Sequence, residues 1–147
     1  MDQKKRKLVE AALEARKMSY SPYSGFSVGA ALLCGDGTVY TGCNIENASY
    51  TPTNCAERTA FFKAVSEGKR DFKAIAVVGG PTGKAPGMPE NFCTPCGVCR
   101  QVMAEFCHPE DFEIIMACSD GAGGFCMTVR TLNQLLPDRF GLADQVK

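Results

Sequence analysis

Cys96 and Cys99, in the stretch "TPCGVCRQV", stand three residues apart at the opening of a run with helical spacing, and no other feature restricts the fold as much. Both sulfurs then lie on one face of a first helical turn, beside N–H groups that lack intrahelical partners and at the positive end of the dipole. That setting favours thiolate. Two thiolates are half of a metal site, because a closed structural zinc needs four protein ligands and an open catalytic one needs three. The chain therefore has to carry a distant segment to this helix start.

The donor that fits is Cys55, in "TPTNCAERTAFF", which opens a second helical run and is followed two residues later by Glu57. His108, the single histidine, sits beside a proline in "CHPED" and reads as an exposed loop residue. Three cysteines leave one coordination position to water. Zinc brings the pKa of such a water towards neutrality, and Glu57 is placed to accept its proton. Three thiolates on Zn²⁺ leave a net negative charge that Arg58, three residues after Cys55, would offset by hydrogen-bonding the sulfurs. "CTPCGVC" also allows a redox or iron–sulfur module through Cys93, but Met103 stands where a fourth cysteine would be. A visible absorption band would identify a cluster. Cys93 precedes the helix start and is expected to take no part.

The nine cysteines are an odd number without an export signal, which disfavours a disulfide framework. Cys118 in "IIMACS" and Cys34 in "AALLCG" read as small buried hydrophobes. Lys plus Arg balances Asp plus Glu at 16 each, with no basic tract to follow a phosphate backbone, so nucleic acid is an unexpected partner. No apolar run reaches membrane-spanning length, and "MDQKKRKL" lacks the apolar segment of a signal peptide. A soluble cytoplasmic protein is expected, with Lys4, Lys5, Arg6 and Lys7 as a solvated helix turn.

The 147 residues suit one domain, 1–147. Residues 3–18 read as an amphipathic helix, and "SVGAALLC" and "TVYTGCNIE" as a hairpin turning at Gly35, Asp36 and Gly37. A helix capped by Thr53 or Asn54 runs to about Ser66, and "KAIAVVGG" follows as a strand buried on both faces. After the loop "GGPTGKAPGMPENF", Thr94 caps a helix with Pro95 in its first position, running to about Phe106. "DFEIIMACS" and "GFCMTVR" read as strands, and "TLNQLLPDRF" as a short helix stopped by Pro137. The order predicts an α/β three-layer α-β-α sandwich around a mixed sheet of about five strands.

"FSVGAAL", "NIENASY", "CAERTA", "PCGVCRQ" and "LLPDRFG", taken together, resemble the small homotetrameric cytidine deaminases of the three-cysteine type, in order and spacing along nearly the whole chain. The resemblance implies zinc on Cys55, Cys96 and Cys99, with Glu57 as proton shuttle. It implies substrate contacts from Phe26 on the pyrimidine, Asn44 and Glu46 on the ribose hydroxyl, and the backbone around Ala56 on the base edge. Ile45, Asn47, Ala48, Ser49 and Tyr50, with Phe140, would complete a wall shared between subunits. The implied reaction is hydrolysis of cytidine and deoxycytidine to uridine and deoxyuridine with loss of ammonia, a step of pyrimidine salvage. Singly, Phe26 reads as a core aromatic, and Asn44 and Glu46 as turn residues; their joint match reverses that.

Overall fold

In the computed structural model, which describes residues 2–87 and 92–142, the nine expected elements occur in the expected order. They are α1 (Gln3–Arg16), β1 (Phe26–Cys34), β2 (Val39–Cys43), α2 (Ala56–Ser66), β3 (Phe72–Pro81), α3 (Gly97–Phe106), β4 (Glu113–Ser119), β5 (Phe125–Thr131) and α4 (Leu132–Leu135). Residues 88–91 of the expected glycine- and proline-rich loop lie outside the described residues.

The strands form one mixed sheet in the order β2-β1-β3-β4-β5. Only β3 and β4 are parallel among its neighbouring pairs, and α3 lies in the connection between them. Within "KAIAVVGG", residues 74–80 are buried on both sides, as their unbroken run predicts, and only Lys73 at its start is exposed. Ile75 and Val77 face α2 and α3, while Ala74, Ala76 and Val78 face Leu8, Val9 and Ala12 of α1. The sheet is thus the middle layer between α1 and the α2–α3 pair, as expected. No helix among the described residues is long and apolar enough to cross a membrane. The basic run sits in the first turns of α1, where Asp2 caps the helix, Lys5 pairs with Glu113 at 3.5 Å and Arg6 lies over the Phe125 ring.

Two packing devices hold α2 and α3 where their N-termini can meet. Phe61 of α2 touches Phe72 at a centroid distance of 5.1 Å and Phe106, the last residue of α3, at 6.4 Å. Each such pair contributes about 0.5–1.5 kcal/mol beyond its area burial. On the other side α2 lies against β2 at Gly42, where a Cβ would stand 2.4 Å from the Ala56 carbonyl oxygen and 2.6 Å from the Ala60 nitrogen. Any side chain there would push away the helix end that carries Cys55 and Glu57.

Both site helices start later than their capping sequences predict. The N-cap of α2 is Cys55 rather than Thr53 or Asn54, because both backbone polar groups of Asn54 pair with Ile45, at 2.9 Å each. The N-cap of α3 is Cys96, so Thr94 and Pro95 remain outside the helix. Neither cysteine makes a side-chain capping bond. A good cap residue is worth about 1 kcal/mol, and here that position is given to sulfur with another use.

Candidate active site

The N-termini of α2 and α3 converge, and the sulfurs of Cys55, Cys96 and Cys99 all lie within 4.8 Å of one another. Cys55 and Cys96 are 3.7 Å apart, and Cys96 and Cys99 3.6 Å. Tetrahedral zinc with Zn–S bonds of about 2.3 Å places its sulfurs about 3.8 Å apart, which the Cys55–Cys96 and Cys96–Cys99 spacings match. Cys99 is buried, Cys55 half-buried and Cys96 exposed, which leaves one side of the site open to a small molecule.

Charge is shared unevenly among the thiols. Cys55 is drawn down to about 5 by a hydrogen bond from Cys99, with help from Arg58 and Cys96 against the cost of burial, while the same bond and burial hold Cys99 up. Arg58 donates from Nη2 to the Cys55 sulfur at 3.3 Å. Burial works against the Arg58 cation, but its thiol neighbours outweigh burial and keep it charged. Its Nε is buried and has no hydrogen-bond partner among the described residues.

Glu57, in the first turn of α2, is 3% exposed. Burial pushes its carboxyl up to about 7, its own backbone N–H pulls it back, and the negative Cys55 and positive Arg58 act in opposite directions. A carboxyl poised near neutrality can take and return a proton at physiological pH. Cys93 stays outside the trio. Its sulfur lies where a Gly79 Cβ would be only 2.9 Å away, and the same absent Cβ would be 3.0 Å from the Phe26 ring. Burial raises the Cys93 thiol to about 12, and its sulfur is not one of the three that cluster at the helix starts. His108 is exposed in the α3–β4 connection, as expected.

The substrate residues expected from the "NIENASY" stretch form a framework beside the thiols. Asn44 donates to the Phe26 carbonyl at 2.8 Å and accepts from the Val28 N–H at 2.9 Å and from the Ser19 hydroxyl, which fixes the start of β1. Ile45 bridges to Asn54, the residue before Cys55. Glu46 accepts from the N–H groups of Tyr23 at 2.9 Å and Ser24 at 3.1 Å, and from the Ser24 hydroxyl. The Ser24 hydroxyl, with the two backbone bonds, outweighs the desolvation cost and holds the carboxylate below its ordinary range. The Asn47 N–H bonds Thr53 Oγ1 at 3.1 Å, and its side chain accepts from the Ser49 N–H at 2.9 Å.

Glu46, Asn47 and Tyr50 line a cavity of about 300 Å³ with Tyr23, Ser24 and Thr53. Phe26, Asn44, Ile45, Ala48, Ser49, Ala56 and Phe140 are not among its walls. Ala56 is fully buried, so its backbone is what it can offer a ligand. Tyr50 and Phe140 stand out in solvent at 79% and 74% exposure, and the Phe140 carbonyl is tied to Gln101 of α3 at 3.1 Å. Tyr23 and Ser24 escaped the sequence reading because "SPYSG" shows only turn chemistry, and nothing local ties it to Glu46, 22 residues on.

The family model of the cytidine and deoxycytidylate deaminase zinc-binding region matches residues 2–120. A cytidine deaminase of Halalkalibacterium halodurans is 50% identical over 137 residues, covering 93% of this chain and 94% of that one. One of Sporosarcina psychrophila is 59% identical over 102 residues, covering 69% of each. The crystal structure of a cytidine deaminase from Burkholderia pseudomallei superposes with a TM-score of 0.79 at 46% identity, over 95% of this chain and all of that one. The chain belongs to the cytidine and deoxycytidylate deaminase zinc-binding family.

Proposed function

We propose that this chain is a zinc-dependent cytidine deaminase, converting cytidine and deoxycytidine to uridine and deoxyuridine with release of ammonia. The observation that carries the reading is the meeting of two helix starts: three sulfurs at the spacing of tetrahedral zinc, with the buried Glu57 carboxyl in the same first turn. Cys55, Cys96 and Cys99 would hold the ion, which when bound polarises a water and lowers its pKa. Arg58 supports the thiolate charge.

Glu57 takes a proton from the attacking water and delivers it to N3 as the new C–O bond forms at C4. The same carboxyl then takes the proton of the new C4 hydroxyl and carries it to the amino group, so that the C4 carbonyl forms as the C4–N bond breaks and ammonia leaves. Balance is kept: one water is added, one ammonia departs, and Glu57 ends as it began. Phe26 packs on the pyrimidine, the backbone at Ala56 holds the base edge, and Asn44 and Glu46 accept the sugar. Ile45, Asn47, Ala48, Ser49 and Tyr50 form the surrounding loop. A sugar hydroxyl meets an ionised Glu46, and a ligand without one leaves that acceptor unpaired, which favours nucleosides over the free base. Among the described residues, the cavity beside Glu46 has no Lys or Arg in its walls, so none of them offers a 5′-phosphate a cationic partner there.

In the homotetramer that completes this reading, neighbouring subunits close each other's pockets and cover the exposed Tyr50 and Phe140. The reading is completed by a cytoplasmic role in pyrimidine salvage. Its test is the ultraviolet change on loss of the amino group, followed separately with cytidine, deoxycytidine and CMP. Both nucleosides should react and CMP should not; failure of both nucleosides overturns the substrate assignment.

A further inference from the structure

Six of the nine cysteines are not needed by the zinc, and two of these face each other across the sheet. Cys118 of β4 and Cys126 of β5 are directly paired residues of the antiparallel ladder, with their sulfurs 3.2 Å apart. The pairs two steps towards the hairpin and six steps away are bonded, Asp120 N–H to Gly124 O at 3.2 Å and Leu132 N–H to Phe112 O at 3.1 Å. Bonded and non-bonded pairs alternate, so Cys118 and Cys126 occupy a bonded position, where the Cα atoms stand about 5.5 Å apart. That separation lies in the range disulfides adopt, roughly 4.4–6.8 Å. The sulfurs must approach by a little over about 1 Å to bond.

We propose that Cys118 and Cys126 form an oxidisable dithiol that a hydroperoxide converts to a cross-strand disulfide. Cys126 is half-buried and Cys118 is 1% exposed, so Cys126 meets the oxidant first. Its thiolate attacks the peroxide, the O–O bond breaks, and a sulfenic acid forms with loss of one water. The Cys118 thiol then attacks that sulfur and a second water leaves, so that two thiols and one hydrogen peroxide give one disulfide and two waters. The bond ties the edge strand β5 to β4 beside Ser119. The Ser119 N–H holds the Gly87 carbonyl at 2.9 Å, in the segment that leads from β3 towards Cys96. Oxidation would therefore brace the sheet next to the approach to the zinc ligands without consuming one of them.

The test is to treat the zinc-loaded protein with excess hydrogen peroxide at neutral pH, alkylate it under denaturing conditions, and cleave it before Asp111, Asp120 and Asp138. This puts Cys107, Cys118 and Cys126 on separate peptides. The expected result is that, before alkylation, the oxidised protein is lighter by about 2 Da than the same sample after thiol reduction, which leaves any methionine sulfoxide in place, with zinc retained. Peptides 111–119 and 120–137 should travel as one species that separates on reduction. In Cys126→Ser that species should vanish. Recovery of the two wild-type peptides unlinked, with both cysteines alkylated or with Cys126 carrying added oxygen, overturns the proposal, as does linkage of either to a third cysteine. The wild-type peptide map decides the matter whether or not the variant folds.

Discussion

Glu46 shows how a single side chain can serve the scaffold and, on the proposed reading, the substrate. Its carboxylate already accepts three hydrogen bonds from Tyr23 and Ser24, and an ionised carboxylate has further acceptor capacity for a sugar hydroxyl. Glu46→Gln should lower kcat/KM for cytidine by roughly tenfold or more, while an analogue without the sugar hydroxyls should suffer no comparable further loss. Steady-state kinetics on both substrates checks this, and an equal loss on both would mean that Glu46 only holds the 23–24 turn. The sequence made Asn44 and Glu46 visible through family resemblance and not through pattern. Their side-chain hydrogen bonds join positions 16 to 25 residues apart, and such pairings leave no periodic trace.

The two site helices were legible in type and order but not in where they begin. Thr53, Asn54 and Thr94 have the better capping side chains, yet the caps are Cys55 and Cys96. Sequence rules for helix starts fail here because the cap positions are occupied by ligands, and rule-breaking of that kind is expected at functional sites. Cys55→Ala should release the zinc and, because the ion links α2 to α3, also lower the melting temperature. Metal analysis with a thermal scan checks both effects. Gly42→Val should destabilise the protein by about 1–3 kcal/mol, since the new side chain meets the α2 backbone. Denaturant unfolding measures that loss, and an unchanged midpoint would mean that α2 has room to move.

Across the whole molecule, the alternation of apolar runs and turns predicted a sheet between helices, and the five-stranded mixed sheet is that arrangement. The strand order was not predictable from the run of elements, because the antiparallel β1–β3 pairing that places the hairpin beside β3 depends on which apolar faces meet. Nor was the contact of Cys118 with Cys126, since Cys118 reads as a small buried hydrophobe and Cys126 only as part of the strand run "GFCMTVR". The proposed tetramer belongs to this scale. Sedimentation should find a species of about four chains, and specific activity should fall on dilution in step with its dissociation; a fully active monomer would contradict shared pockets. The central claim is that the two helix starts build a zinc site in which Glu57 moves the protons. Its most direct test is to measure cytidine turnover by wild type and Glu57→Ala at equal metal content. The expected result is about one zinc per chain in both proteins and a loss of turnover of at least about 10²–10⁴-fold in the variant. Turnover near that of the wild type, in a zinc-loaded variant, would contradict the account.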